Sequence, residues 1–92
     1  MVKITFDEAK RAITLLEQGL DFADADQVFS GPTVTIEDTR RDYGETRWIT
    51  MGLLGWRAVV LVWTPRGVDS RRIISMRHAH DDEVERFGLH LG

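Results

Sequence analysis

Apolar positions change period about a third of the way along the chain, and that change separates helices from strands. Ala9, Ala12, Ile13 and Leu16 fall on one face at helical spacing. Asp7 before them can serve as N-cap, and Phe6 can close over the first turn. Gly19 stands where a helix end wants a left-handed residue. Asp21 is a second N-cap candidate. Phe22, Ala25, Val28 and Phe29 form the next stripe, which Ser30-Gly31-Pro32 stops. Two short helices are predicted for the first third.

From residue 33 the period becomes two. Val34 and Ile36 alternate with Thr33, Thr35 and Glu37, as in a half-buried strand, and the polar stretch Thr39 to Gly44 reads as a loop. Arg47 to Leu54 is rich in β-formers, and Leu54-Gly55 turns the chain into a strand from Arg57 to Thr64. Pro65-Arg66-Gly67 is the next turn, with room to extend through Asp69, and Arg71 to Met76 is the fourth strand. Ala58 to Trp63 is apolar at nearly every position, so it belongs in the sheet centre with both faces covered. Asp81-Asp82-Glu83 put negative charge at a helix N-terminus, with Val84 and Phe87 turned inward. The order helix, helix, four consecutive strands, helix predicts an α+β fold with a four-stranded antiparallel meander.

Composition narrows the class. The 92 residues predict a single domain spanning 1–92, without repeats or linkers, able to bury about 60 to 65% of its unfolded surface. With no cysteine, neither a disulfide framework nor a thiolate metal site is available. The longest apolar run is far below the ~20 residues of a membrane span, and no basic-then-apolar leader opens the chain, so a cytoplasmic protein is expected. The net charge of −3 gives no general sign of nucleic-acid binding. Its distribution says more: residues 1–46 hold 5 Lys/Arg against 10 Asp/Glu, while residues 47–92 hold 7 Arg and no Lys against 5 Asp/Glu. Arg in preference to Lys favours anion recognition, because the planar fork pairs hydrogen bonds and keeps its charge.

The segment from Arg71 to His80 concentrates that chemistry, with arginines at both ends of a short apolar strand that runs into histidines and an acidic helix start. Arg47 and Glu45 share a strand face, as do Arg77, Ser75 and Ile73, whereas Arg72 points to the other face unless a bulge re-aims it. Each cation also has a structural reading: Arg77 paired with Glu83, Arg47 neutralised by Glu45. His78 and His80 carry imidazoles, the side chain type suited to proton transfer, though His80 can equally cap the last helix. Their spacing resembles a metal pair on a strand, but no third ligand accompanies it, so no metal and no cofactor are expected. Trp63 reads as core, and Trp56, beside Gly55 in a turn, as the exposed tryptophan.

From Phe6 to Phe87 the chain resembles the BrnT family of type II toxin–antitoxin toxins, small ribonucleases with a RelE-like α+β fold. The resemblance rests on Asp7, Lys10, Gly19, Phe22, Val28-Phe29, Pro32, Glu45, Arg47, Gly52, Arg57, Thr64 and Arg66. Its strongest block is Arg72-Ile73-Ile74-Ser75 with Arg77, Ala79, Glu83 and Phe87. Thr14, Glu17 and Gln18 stand where the family usually carries Asn, Lys and His. Phe6 replaces the usual Trp, and Asp81 and Asp82 make the last helix acidic instead of basic.

The resemblance implies an endoribonuclease that works without metal. Such cleavage needs a base for the ribose 2′-hydroxyl, an acid for the leaving 5′-oxygen and cations around the phosphorane. Candidate catalytic residues are Arg77, Arg47, Glu45, Lys10 and His78, with Glu45 as a possible base. Candidate RNA contacts are Arg66, Arg72, Arg57 and Trp56, the last able to stack on a base or meet a partner. The implied partners are RNA, a cognate BrnA-like antitoxin, and operator DNA only through that antitoxin, in a complex repressing its own operon; no membrane is involved. Two other readings stay open: a homologue that lost cleavage and serves as an antitoxin-binding module, and a stand-alone RNA-binding domain.

Overall fold

A computed structural model describes residues 2–88. Its elements are β1 (Lys3–Phe6), α1 (Glu8–Gln18), a 3-10 turn (Phe22–Asp24), α2 (Ala25–Ser30), β2 (Val34–Glu37), β3 (Trp48–Leu54), β4 (Arg57–Arg66), β5 (Ser70–His78) and α3 (Asp81–Phe87). The strands form one sheet in the order β1-β5-β4-β3-β2. β2 to β5 are the expected antiparallel meander, with β4 in the centre. The expected four-stranded sheet is corrected to a five-stranded mixed one, because β1 adds in parallel to the outer edge of β5. Four residues ahead of a helix cap carry too short a pattern to read as a strand, and β1 becomes one only by pairing with a segment some 67 residues away, Lys3 opposite Ser70. β4 also runs through Pro65 to Arg66, so the turn is Gly67 to Asp69, two residues later than Pro65-Arg66-Gly67 and within its extension to Asp69.

The caps behave as read. Asp7 accepts from the backbone N–H groups of Ala9 and Lys10, and Gly19 takes the left-handed conformation at φ 68°. Asp21 accepts from Ala23 N and is also gripped by Arg11, through Nε at 2.8 Å and Nη2 at 3.0 Å, which ties α1 to the 3-10 turn.

One face of the sheet is sealed by the N-terminal helices. Leu20, Phe22, Ala25 and Val28 pack on Leu54, Val59, Leu61, Ile73 and Met76, with Ile4, Phe6, Phe29 and Trp63 at the margin. Phe6–Phe22 and Phe29–Trp63 meet edge to face, and Trp63 Nε1 donates to Thr50 Oγ1 at 2.8 Å. The Ala9–Leu16 stripe of α1 lies outward instead, with Leu16 87% exposed. The side of α1 nearest the body carries Arg11 and Thr14, both half-buried.

The opposite face is thinner. Met51 and Val60, flanked by Val34, Ile49 and Ala58, are packed against Ala79 and Phe87 of α3 and its lead-in. On this face the arginines gather, and a bulge decides that. Trp63 stands opposite Ile73 but Val62 opposite Ser75, so Ile74 is an extra residue in β5. Arg72 and Arg77 consequently stand opposite Thr64 and Val60, four positions apart on β4 and therefore on one face. The expectation that Ile73 shares a face with Arg77 is corrected: the inserted residue sends Ile73 into the helix-side core.

Candidate active site

The arginine face is centred on Thr64. Its buried hydroxyl donates to the Thr46 carbonyl at 2.7 Å. Arg72 is its partner on β5, and carrying the β3–β4 register one residue past Trp48–Trp63 sets Arg47 on its other side. Two strand spacings separate the Arg47 and Arg72 backbones by about 10 Å, which long guanidinium side chains can close over one phosphate. Arg66, two residues beyond Thr64, lies on the same face. Arg77 stands about 13 Å farther along the sheet, four β4 positions at strand rise.

Glu45 organises two of these cations. It accepts from Arg47 Nε at 3.0 Å and from Arg66 Nη1 at 3.1 Å. Hydrogen bonds first from Arg47 and then from Arg66 hold its pKa below the usual carboxylate range. A carboxylate so held is a weak base and a good clamp. Arg77 is gripped by Glu83 through both arms of its fork, at 2.7 and 2.9 Å. Glu83 also accepts from the His80 backbone N–H at 2.8 Å, and the Arg77 fork is the main reason its pKa falls to about 2. Arg72 makes no ion pair among the described residues.

The remaining sequence candidates lie elsewhere. His78 is opposite Val59, on the helix side, and its Nε2 meets the Gln18 carbonyl at 3.0 Å, closing the end of α1. Lys10 lines a shallow hollow with Ile13, Thr14, Phe22, Ile74 and Ser75. Trp56 is 88% exposed in the β3–β4 turn, with the Arg57 guanidinium 5.9 Å from its ring. The structure therefore joins Arg47, Glu45 and Arg66, sets Arg72 beside Thr64 and Arg77 farther along on the same face, and leaves Lys10, His78, Arg57 and Trp56 off it.

Three residues of the Thr39–Gly44 region and its border were missed. Asp38, nearly without solvent contact, accepts from Arg40 Nε and Nη2, both at 2.8 Å, and from the Tyr43 hydroxyl at 3.0 Å. The Arg40 fork, with help from Tyr43, keeps the Asp38 carboxyl well below the ordinary range despite burial. Arg40 is close enough for its charge to be felt by Arg77. An Asp two residues before an Arg in a polar loop containing the lone tyrosine was the available signal.

Comparison with known proteins bears on the chain as a whole. The family model described as the ribonuclease toxin BrnT of type II toxin–antitoxin systems matches residues 6–83. No curated protein sequence matches the chain. The chain is also similar to the ribonuclease toxin BrnT of Brucella abortus, known from a 1.1 Å crystal structure, at 30% identity and a TM-score of 0.70. That alignment covers 88% of this chain and 100% of the other. The arginines around Thr64 thus sit on a fold shared with a ribonuclease toxin, and the chain belongs to the BrnT family of ribonuclease toxins of type II toxin–antitoxin systems.

Proposed function

We propose that this chain is an endoribonuclease toxin that cuts RNA on its arginine face without a metal ion. The placing of Arg47, Arg66 and Arg72 around Thr64, with Arg72 put on the same face as Arg77 by the bulge at Ile74, carries the reading. Arginines held on or beside rigid strands supply positive charge where the phosphorane develops negative charge, and preorganised donors of this kind contribute about 10²- to 10³-fold each. Glu45 keeps Arg47 and Arg66 apart and aligned. Arg77, once parted from Glu83, extends the grip to a neighbouring phosphate. A RelE-like kinship belongs to the same reading, supported by helices stacked on one face of an antiparallel core.

By family, a type II toxin has an antitoxin partner and an RNA target. We assign this chain a BrnA-like antitoxin that covers the arginine face with an acidic or apolar segment and joins it in repressing the operon. The departures at Thr14, Glu17 and Gln18 all lie on α1, which meets the other side of the sheet where His78 reaches the Gln18 carbonyl. They leave the arginine cluster intact, which favours retained cleavage over a purely antitoxin-binding module.

Inducing the chain alone in a bacterial host separates the two readings. Growth arrest with RNA decay is the expected result, and a folded Arg47→Ala variant should relieve it. Unimpaired growth and intact RNA, with the protein soluble and abundant, would favour the binding module.

A further inference from the structure

The loop between β2 and β3 contains a buried carboxylate whose four hydrogen bonds all lead to two residues. Asp38, with a side chain 1% exposed, takes two from the Arg40 guanidinium, one from the Arg40 backbone N–H at 3.2 Å and one from the Tyr43 hydroxyl. An ionised group is tolerated in such burial only when hydrogen-bonded on most sides. The far end of Tyr43 is therefore fixed in the protein wall. Asp38 N also donates to the Arg47 carbonyl at 2.8 Å, closing the loop back onto the residue just before β3.

The Tyr43 ring has a cation on it. Arg47 Cζ lies 4.1 Å from the ring centroid, while Arg47 Nε is held by Glu45. One face of the guanidinium and its Nε edge are thus engaged. No hydrogen-bond acceptor among the described residues takes the Nη1–Nη2 edge. That edge presents two parallel N–H bonds, the arrangement that receives two oxygens of a phosphodiester.

We propose that Tyr43 is a positioning residue: anchored by Asp38, it stacks on Arg47 and holds the Nη1–Nη2 edge toward the RNA phosphate. This rests on the reading that Arg47 contacts that phosphate. Tyr43 acts through Arg47 and does not itself touch RNA.

The test is a double-mutant cycle in affinity for a short 2′-O-methyl RNA, which binds but cannot be cleaved, measured by fluorescence anisotropy over a range of salt. Arg47→Ala should weaken binding about tenfold and lower the salt slope by about one, as loss of one phosphate contact requires. Tyr43→Leu should weaken binding about 5- to 10-fold, the scale of a partly desolvated cation–π contact. In the Arg47→Ala background it should change nothing further, a coupling that a general loss of stability would not produce. Tyr43→Phe, which keeps the ring and loses the anchor, should fall between and show the same dependence on Arg47; it decides the matter if Tyr43→Leu does not fold. Wild-type binding by both Tyr43 variants, or a loss that adds to that of Arg47→Ala, overturns this inference alone. Wild-type binding by Arg47→Ala overturns the functional reading and this inference with it.

Discussion

The two faces of the sheet are built on opposite plans. The helix side is closed by apolar packing: Phe22, Leu20, Leu61, Ile73, Val28 and Val59 are all fully buried there. The α3 side buries little beyond Met51 and Val60 and spends its surface on arginines and the carboxylates that hold them. Hydrophobic burial is non-directional and favours closure, whereas guanidinium–carboxylate pairs are directional and can exchange a carboxylate for a phosphate. The first face supplies stability, and the second carries a site that must open to water and to RNA.

The largest expected effect belongs to the helix side. Phe22→Ala removes a fully buried ring that meets Phe6 edge to face at 6.0 Å. It should cost about 3 to 5 kcal/mol in a urea denaturation midpoint. RNA affinity, measured where the variant is still folded, should not change. A parallel loss of affinity would show that the two faces are not independent.

Gly52→Ala sharpens the same division. A Cβ at Gly52 would come 2.6 Å from Val28 Cγ1 and 3.1 Å from Thr33 Cγ2, so α2 can approach β3 only over a glycine. Overpacking there should destabilise by about 1 to 3 kcal/mol in the same assay. An unchanged midpoint would mean that α2 shifts freely on the sheet.

How much of this was legible depended on where each element finds its partner. The caps at Asp7 and Gly19 and the meander from Val34 to Met76 are local patterns and could be read. β1 could not, because its state depends on β5. The outward stripe of α1 was misleading for a related reason: helical spacing shows that Ala9, Ala12, Ile13 and Leu16 share a face, but not where that face points. At the site, the pairs Arg77–Glu83 and Arg47–Glu45 were visible as charge spacing. The shared face of Arg72 and Arg77 turned on one inserted residue, Ile74, that no period announces. Asp38, Arg40 and Tyr43 looked like an ordinary polar loop because burial of Asp38 is created by the fold around it.

Acid should loosen the arginine face. Asp38, Glu45 and Glu83 all have folded-state pKa values below their ordinary ones, with Glu83 at about 2. Lowered pKa values mean stability that is complete above the ordinary carboxylate range and lost as pH falls through the folded values. Thermal midpoints should be level above about pH 5 and fall steadily toward pH 2, where the carboxylates take up protons. A midpoint that held or rose on acidification would contradict the ion-pair assignment.

The smallest effect is expected at Glu83. Glu83→Gln should cost about 1 kcal/mol or less, since its pair with Arg77 is partly open to water. It should flatten the acid slope and tighten RNA binding severalfold, because Arg77 no longer has to give up a carboxylate. Weaker RNA binding by this variant would place Arg77 outside the RNA contact.

The account stands most directly on cleavage of a labelled RNA by the purified chain in excess EDTA, compared with folded Arg47→Ala and Arg72→Ala variants. It predicts that the wild type cuts without metal and that each variant is slower by about 10²- to 10³-fold, with circular dichroism unchanged. Undiminished cleavage by both variants, or cleavage that needs an added metal ion, would contradict it.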